Sequence, residues 1–145
     1  MKKVLFAKMF GNAQPPTRAH SGDAGYDLYA LNGFSIPAGG TVRVPTGICV
    51  ALPEGTYGRV ASRSGLASQG ITTQGGVIDA GYRGQIEVIL YNSTQKEFTR
   101  ESTEKAIAQL IVEYVVPTEL EKVPLENLSS TERGDGGFGS TEKNK

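Results

Sequence analysis

The sequence predicts an all-β domain, and three observations carry that prediction. Turn signals recur along the chain, at Gly11-Asn12, Pro15-Pro16, Asn32-Gly33, Pro37-Ala38-Gly39-Gly40, Pro53-Glu54-Gly55, Gly75-Gly76 and Gly81. Short runs rich in Val, Ile, Thr and Tyr lie between them. In QIEVILYN (85–92), Ile86, Val88 and Leu90 alternate with Glu87, Ile89 and Tyr91, the period-two pattern of a strand with one buried face. Many short strands at this spacing read as a sandwich or barrel.

Taken in order, MKKVLFAKMF reads as an edge strand. Its two lysines precede apolar residues as in a signal peptide, but Lys8 and Gly11-Asn12 leave the apolar run too short for one. AGYDLYA (24–30), TVRVPTGICVAL (41–52) and TYGRVA (56–61) follow as strand-like runs, with Cys49 a small apolar filler in the second. Residues 65–69 predict one short helix. GGVID and YRGQIEV, within 75–88, predict a hairpin around a tight turn. ESTEKAIAQLIVEY (101–114) is open between two readings. Ser102 or Thr103 could cap a helix, while 107–116 reads equally as a buried strand. Beyond Pro117 the run TELEKVPLENLSS predicts an extended arm, because Pro124 interrupts any helix. The close, RGDGGFGSTEKNK, offers only Phe138 as apolar area and predicts a flexible tail.

At 145 residues the chain is the size of one domain. Its 15 basic and 15 acidic residues cancel, so bulk electrostatics give no support to nucleic-acid or membrane-surface binding. Any anion must be held by a local site. A single cysteine excludes an intrachain disulfide and a multi-cysteine metal cluster, and no stretch approaches the length of a membrane span.

Five clusters could carry chemistry, each with a structural alternative. Asp27, between Tyr26 and Leu28, either faces solvent or points inward toward a cation or a wet site. In ASRSGLA (61–67) a strand gives way to a serine-glycine turn, where backbone N–H groups and Ser64 could cradle a phosphate. There Arg63 could add charge or pair with a carboxylate, and Ser64 could instead be a helix N-cap. Asp79 follows apolar and glycine positions, so it is expected to be partly desolvated as a general base requires, or else to be a turn former. Gln109, alone in the apolar IAQLI, either satisfies backbone groups or joins a site. The tail is the fifth, and it is not a P-loop, since no Lys-Ser or Lys-Thr follows the glycines at the required spacing.

In this order the clusters closely resemble the five motifs of the trimeric dUTPase family: AGYDL (24–28), SRSGLA (62–67), GVIDAGYRGQI (76–86), IAQLI (107–111) and RGDGGFGST (133–141). The third and fifth are long and specific, and the resemblance spans about residues 8–141. Two positions depart from the pattern. Ser62 stands where proline usually precedes the arginine, and Glu104-Lys105-Ala106 stand where Gly-Asp-Arg usually precedes Ile-Ala-Gln.

The resemblance implies a jelly-roll-like β-barrel subunit, comprising a domain over 1–132 that includes the arm, and a C-terminal lid and tail over 133–145. It implies a homotrimer with sites shared between subunits, no nucleic-acid or membrane partner, and a soluble intracellular setting, cytoplasmic or nuclear, without a signal peptide. The implied reaction converts dUTP and water to dUMP and diphosphate, lowering dUTP and supplying dUMP for thymidylate synthesis. Asp79 would activate the water. Mg2+ would ride on the triphosphate, with Asp27 acting through the metal's water shell. Arg63, Ser64 and Gly65 would bind phosphates with support from Gln109, while Gly76, Val77, Ile78 and Glu87 would hold the uracil and Tyr82 would lie beneath the sugar. Arg133, Gly139, Ser140 and Thr141 would close on the phosphate chain and Phe138 would stack over the base. Rival expectations are a dCTP deaminase of the same fold and a dUTP-gated module that binds without catalysis.

Overall fold

The computed structural model describes residues 1–139, and eleven strands, one α-helix and one 3-10 turn follow within them. The first strands are β1 (Leu5–Lys8), β2 (Gly25–Leu28), β3 (Phe34–Ile36), β4 (Thr41–Pro45), β5 (Ile48–Ala51) and β6 (Thr56–Ala61). Helix α1 (Ser64–Ser68) comes next, then β7 (Ile71–Gln74), β8 (Val77–Ile78), β9 (Glu87–Asn92), β10 (Phe98–Arg100) and β11 (Ala108–Tyr114). The 3-10 turn covers Leu125–Asn127. Every ladder is antiparallel, in the orders β2-β11-β6-β8, β4-β9-β7, β1-β5 and β10-β3. Neighbours in space are mostly distant in sequence, as in a jelly-roll-like barrel.

The alternation read in 85–92 is realised, for Ile86, Val88 and Leu90 are essentially fully buried. They join Val44, Ile48, Ile107 and Leu110 in one core, each burial stabilising the fold by about 1.5–3 kcal/mol. The run 41–52 divides at Thr46, whose hydroxyl donates to the Ile86 carbonyl at 2.7 Å and accepts from the Ile48 N–H at 3.2 Å. That local bonding diverts the backbone from the ladder. Buried Asn92 closes β9 with every polar atom satisfied: its amide donates to the Ile36 and Lys96 carbonyls and its oxygen accepts from Thr94.

For 101–114 the strand reading prevails over the helix. Ala108 and Leu110 are buried, and β11 is paired along both edges, with β2 and with β6. The predicted hairpin does not form. Val77–Ile78 pair with Gly58–Arg59 of β6, whereas β9 already has both edges occupied by β4 and β7, so it has no free edge to offer β8. The expected helix exists one residue early. Its N-cap is Arg63 without a side-chain cap bond, so Ser64 is the first helical residue and not a cap.

Past β11 the Val115 N–H donates to the Gly55 carbonyl at 2.9 Å, and the chain then runs extended and exposed through Pro117 to Pro124. Leu120 and Leu125 of this arm stand open at 106% and 82% exposure. No helix of the described residues is long and apolar enough to cross a membrane.

Candidate functional site

Three of the sequence motifs meet on neighbouring strands. The antiparallel register sets Gln109 of β11 opposite Asp27 of β2 on one side and opposite Ala61 of β6 on the other. Two residues beyond Ala61 the chain reaches Arg63 and turns into α1. Its guanidinium Nη1 lies 3.0 Å from Asp27 Oδ2. Asp27 is thus neither freely solvated nor sealed in the core. It is a half-exposed carboxylate held by a cation. Gln109 Nε2 donates to the Ser62 carbonyl at 3.0 Å and so fixes the strand end that presents Arg63, Ser64 and Gly65. Its side chain also fills the space over Gly25, where an added Cβ would collide with it. Ser62, standing where proline is usual, restrains the same turn. Its hydroxyl accepts the Thr73 N–H at 2.9 Å and lies 3.1 Å from the Thr73 hydroxyl.

A second group forms around β8. Val77, Ile78, Asp79, Tyr82 and Glu87 line one cleft of about 320 Å³ together with Arg43, Gln85 and Ile89. Gly76 leads into it with φ +96°, and its carbonyl accepts the Val60 N–H at 2.7 Å, binding this segment to β6. The bend between β8 and β9 is closed by its own hydrogen bonds. Tyr82 N–H donates to the Asp79 carbonyl at 3.0 Å, Tyr82 Oη to the Gln85 carbonyl at 2.7 Å, and Arg83 Nη1 to the Ala80 carbonyl at 2.7 Å. The tyrosine ring is therefore fixed against the cleft. Asp79 is exposed in the single chain, which corrects the expected desolvation: Ile78 and Ala80 on either side of it pack against the core, and the carboxylate between them is left open.

Within the tail, Arg133 Nε donates to the Gly136 carbonyl at 2.8 Å, and the Gly134 N–H reaches the Thr131 hydroxyl at 3.1 Å. Phe138 is fully exposed with φ +51°. Neither Arg133 nor Phe138 lines the β8 cleft, and Gly139 is likewise exposed. Ser140 and Thr141 lie outside the described residues. One chain therefore groups the expected residues into an Asp27–Arg63–Gln109 cluster, a β8 cleft, and a tail apart from both.

Sequence reading missed Arg43 and Gln85 in the β8 cleft. Arg43 Nε lies 3.5 Å from Glu87 Oε2 across β4 and β9, and Gln85 Oε1 accepts the Gly47 N–H at 2.8 Å. A cross-strand charge pair was the available signal for Arg43, but only once the β4–β9 register was known.

Comparison with known proteins finds relatives along most of the chain. The sequence profile of the dUTPase family matches residues 11–142. The deoxyuridine 5'-triphosphate nucleotidohydrolase of Debaryomyces hansenii is 52% identical over 134 residues, covering 92% of this chain and 83% of that one. That of Paramecium bursaria Chlorella virus 1 is 45% identical over 142 residues, covering 97% and 99%. Among solved structures, the G164S mutant of the Staphylococcus bacteriophage 80alpha dUTPase with dUpNHpp superposes with a TM-score of 0.87 at 27% identity, covering 97% of this chain and 99% of that one. Matched nearly end to end by profile, relatives and fold, the chain belongs to the dUTPase family.

Proposed function

We propose that the chain hydrolyses dUTP to dUMP and diphosphate, with Asp79 as general base. The observation that carries this reading is the cleft shared by Val77, Ile78, Asp79, Tyr82 and Glu87, which sets a carboxylate beside a fixed aromatic ring. In the reaction the Asp79 carboxylate takes a proton from water as its oxygen bonds to the α-phosphorus. The bridging α–β oxygen bond breaks, and its electron pair leaves with diphosphate.

Selectivity follows from the same geometry. Uracil's edge would be met by the backbone of Gly76, Val77 and Ile78 and by the segment at Glu87. Cytosine reverses donor and acceptor at its 4-position and would leave those groups unpaired. Tyr82, tied down through its hydroxyl, leaves no room for a ribose 2′-hydroxyl.

Arg63, Ser64, Gly65 and Gln109 would hold the phosphate chain. Among the described residues no group of three or more His, Cys, Asp or Glu could cage a metal ion. The lone, half-exposed Asp27 carboxylate beside Arg63 suits an outer contact, through water, to Mg2+ carried on the substrate's own phosphates. When bound there, the ion offsets charge that develops on the phosphate oxygens.

A homotrimer accounts for two features of the isolated subunit. The apolar arm residues Leu120 and Leu125 would gain cover, and the tail of one subunit would complete the clefts of another. In this reading residues 1–132 form the β domain with its arm, and 133–145, with Arg133, Phe138, Gly139, Ser140 and Thr141, form the lid. A nucleotide substrate sets the activity inside the cell, in cytoplasm or nucleus.

The test is incubation with dUTP and Mg2+, following dUMP and diphosphate by 31P NMR, beside Asp79→Asn. Wild type should turn over, and the variant should lose about 10²–10⁴-fold in kcat while still binding a non-hydrolysable dUTP analogue. Wild type releasing no diphosphate, or a variant of equal rate, would overturn the reading.

A further inference from the structure

A cleft of about 420 Å³ beside α1 holds more positive charge than its surroundings neutralise. Arg63, Gly65, Arg100, Glu104, Lys105 and Ala106 are among its lining residues. Arg63 has its partner in Asp27. Neither Arg100 nor Lys105 has a carboxylate within 4.0 Å among the described residues, although Glu104 lines the same cleft.

Arg100 is held there by design of the strand. Its guanidinium rests over the Phe98 ring at 5.6 Å, and Nη1 donates to the Ala106 carbonyl at 3.3 Å. Ala106 brings no charge of its own, and the Arg100 guanidinium from β10 is placed at its carbonyl. Burial first, and then the charge of Arg63, lower the pKa of Arg100. A partly desolvated guanidinium without a carboxylate partner carries an electrostatic cost, and an anion bound beside Arg100 would reduce it. Arg100 also presents a planar fork of donors, suited to phosphate oxygens.

We propose that Arg100, with Lys105 at the rim, forms an anion subsite for a phosphoanhydride chain, extending the phosphate-binding surface that begins at Arg63. The assignment rests on the proposed dUTP reading for its substrate. The subsite itself requires only that a diphosphate group binds.

The test measures binding of inorganic diphosphate, of a non-hydrolysable dUTP analogue and of dUMP by calorimetry, beside steady-state kinetics with dUTP. Arg100→Gln is expected to weaken diphosphate and analogue binding about tenfold and to raise KM similarly, the size expected of one charge-assisted hydrogen bond. Affinity for dUMP, which lacks the chain, should stay within about twofold. Arg100→Lys should recover most of the loss, which a purely structural role through Phe98 would not. Lys105→Gln, on an exposed side chain that cannot jeopardise the core, should cost about threefold and flatten the salt dependence of diphosphate binding. Diphosphate affinity unchanged in both neutral variants, or dUMP binding lost in parallel with it, would overturn the subsite. Wild type that binds diphosphate through Arg100 yet does not hydrolyse dUTP would instead overturn the substrate assignment alone.

Discussion

Asp27 and Arg63 form a 3.0 Å ion pair between β2 and the start of α1. Their side chains remain 30% and 39% exposed, so solvent screens much of their attraction. Asp27→Asn is therefore expected to cost at most about 1 kcal/mol of stability. Its larger effect should be on turnover, through the release of Arg63 and the loss of a carboxylate near the phosphates. Thermal melting beside dUTP kinetics checks this. A melting point that collapses while kcat/KM is unchanged would assign the pair to the fold instead.

Gly76 should tolerate no side chain. It holds φ +96°, and an added Cβ would lie 2.6 Å from the Val60 carbonyl oxygen, a backbone atom that cannot swing away. Gly76→Ala is expected to destabilise by about 2–3 kcal/mol and to detach β8 from β6. Urea unfolding measures the first. Protection of the Val60 amide against hydrogen exchange measures the second, because its acceptor is the Gly76 carbonyl.

Acid sensitivity should have one identifiable contributor. Glu113 accepts from Arg59 Nε at 3.0 Å and Nη2 at 2.8 Å, and from the Tyr57 hydroxyl. Hydrogen bonding to Arg59, then to Tyr57, lowers the Glu113 pKa from its ordinary 4.5. A carboxyl whose folded value is depressed stabilises the native state above its unfolded value, and that contribution fades as pH falls from about 4.5 through the lowered folded value. The hydrogen bond to Glu113 raises Tyr57 above its usual 10.0, so its contribution is present below pH 10 and is lost as pH rises past the raised value. Melting scans of Glu113→Gln should show a shallower pH dependence below 4.5 than wild type. Parallel curves would remove Glu113 from the acid response.

Removal of residues 134–145 should leave the fold and melting point unchanged while reducing dUTP turnover at least a hundredfold. The hydrogen bonds of Arg133 and Gly134 are local, and Phe138 is fully exposed among the described residues. Lid residues act on the bound state, and their loss falls on kcat and KM. Circular dichroism and initial rates decide between a lid and a structural strap.

The strands announced themselves in the sequence wherever one face is buried and the other wet, as with Ile86, Val88 and Leu90. Helix α1 was legible to within one residue because the Ser64-Gly65 pair that marks the end of the strand-like run forms its first turn. The partner of β8 was not legible. A two-residue strand has too little pattern of its own to choose a neighbour, and β6 claims it only because β9 is already saturated. The exposure of Asp79 was hidden for a related reason, since apolar residues before it do not bury it: Val77 is itself exposed, and Ile78 packs on the core while Asp79 stays open. Arg100 was invisible as a site residue, for a lone arginine in a short strand acquires meaning only when folding brings it beside Arg63 and Lys105.

Gln109 stands on the one strand that is paired to both β2 and β6, in a row with Asp27 and Ala61. A slip of one residue in β11 would carry Leu110 or Ala108 into that row and rotate Gln109 into the core. The position of Gln109 beside Asp27 and the burial of Ala108 and Leu110 thus depend on the same register. Protein with β11 paired out of register should therefore lose its core packing and the Asp27–Arg63–Gln109 cluster together.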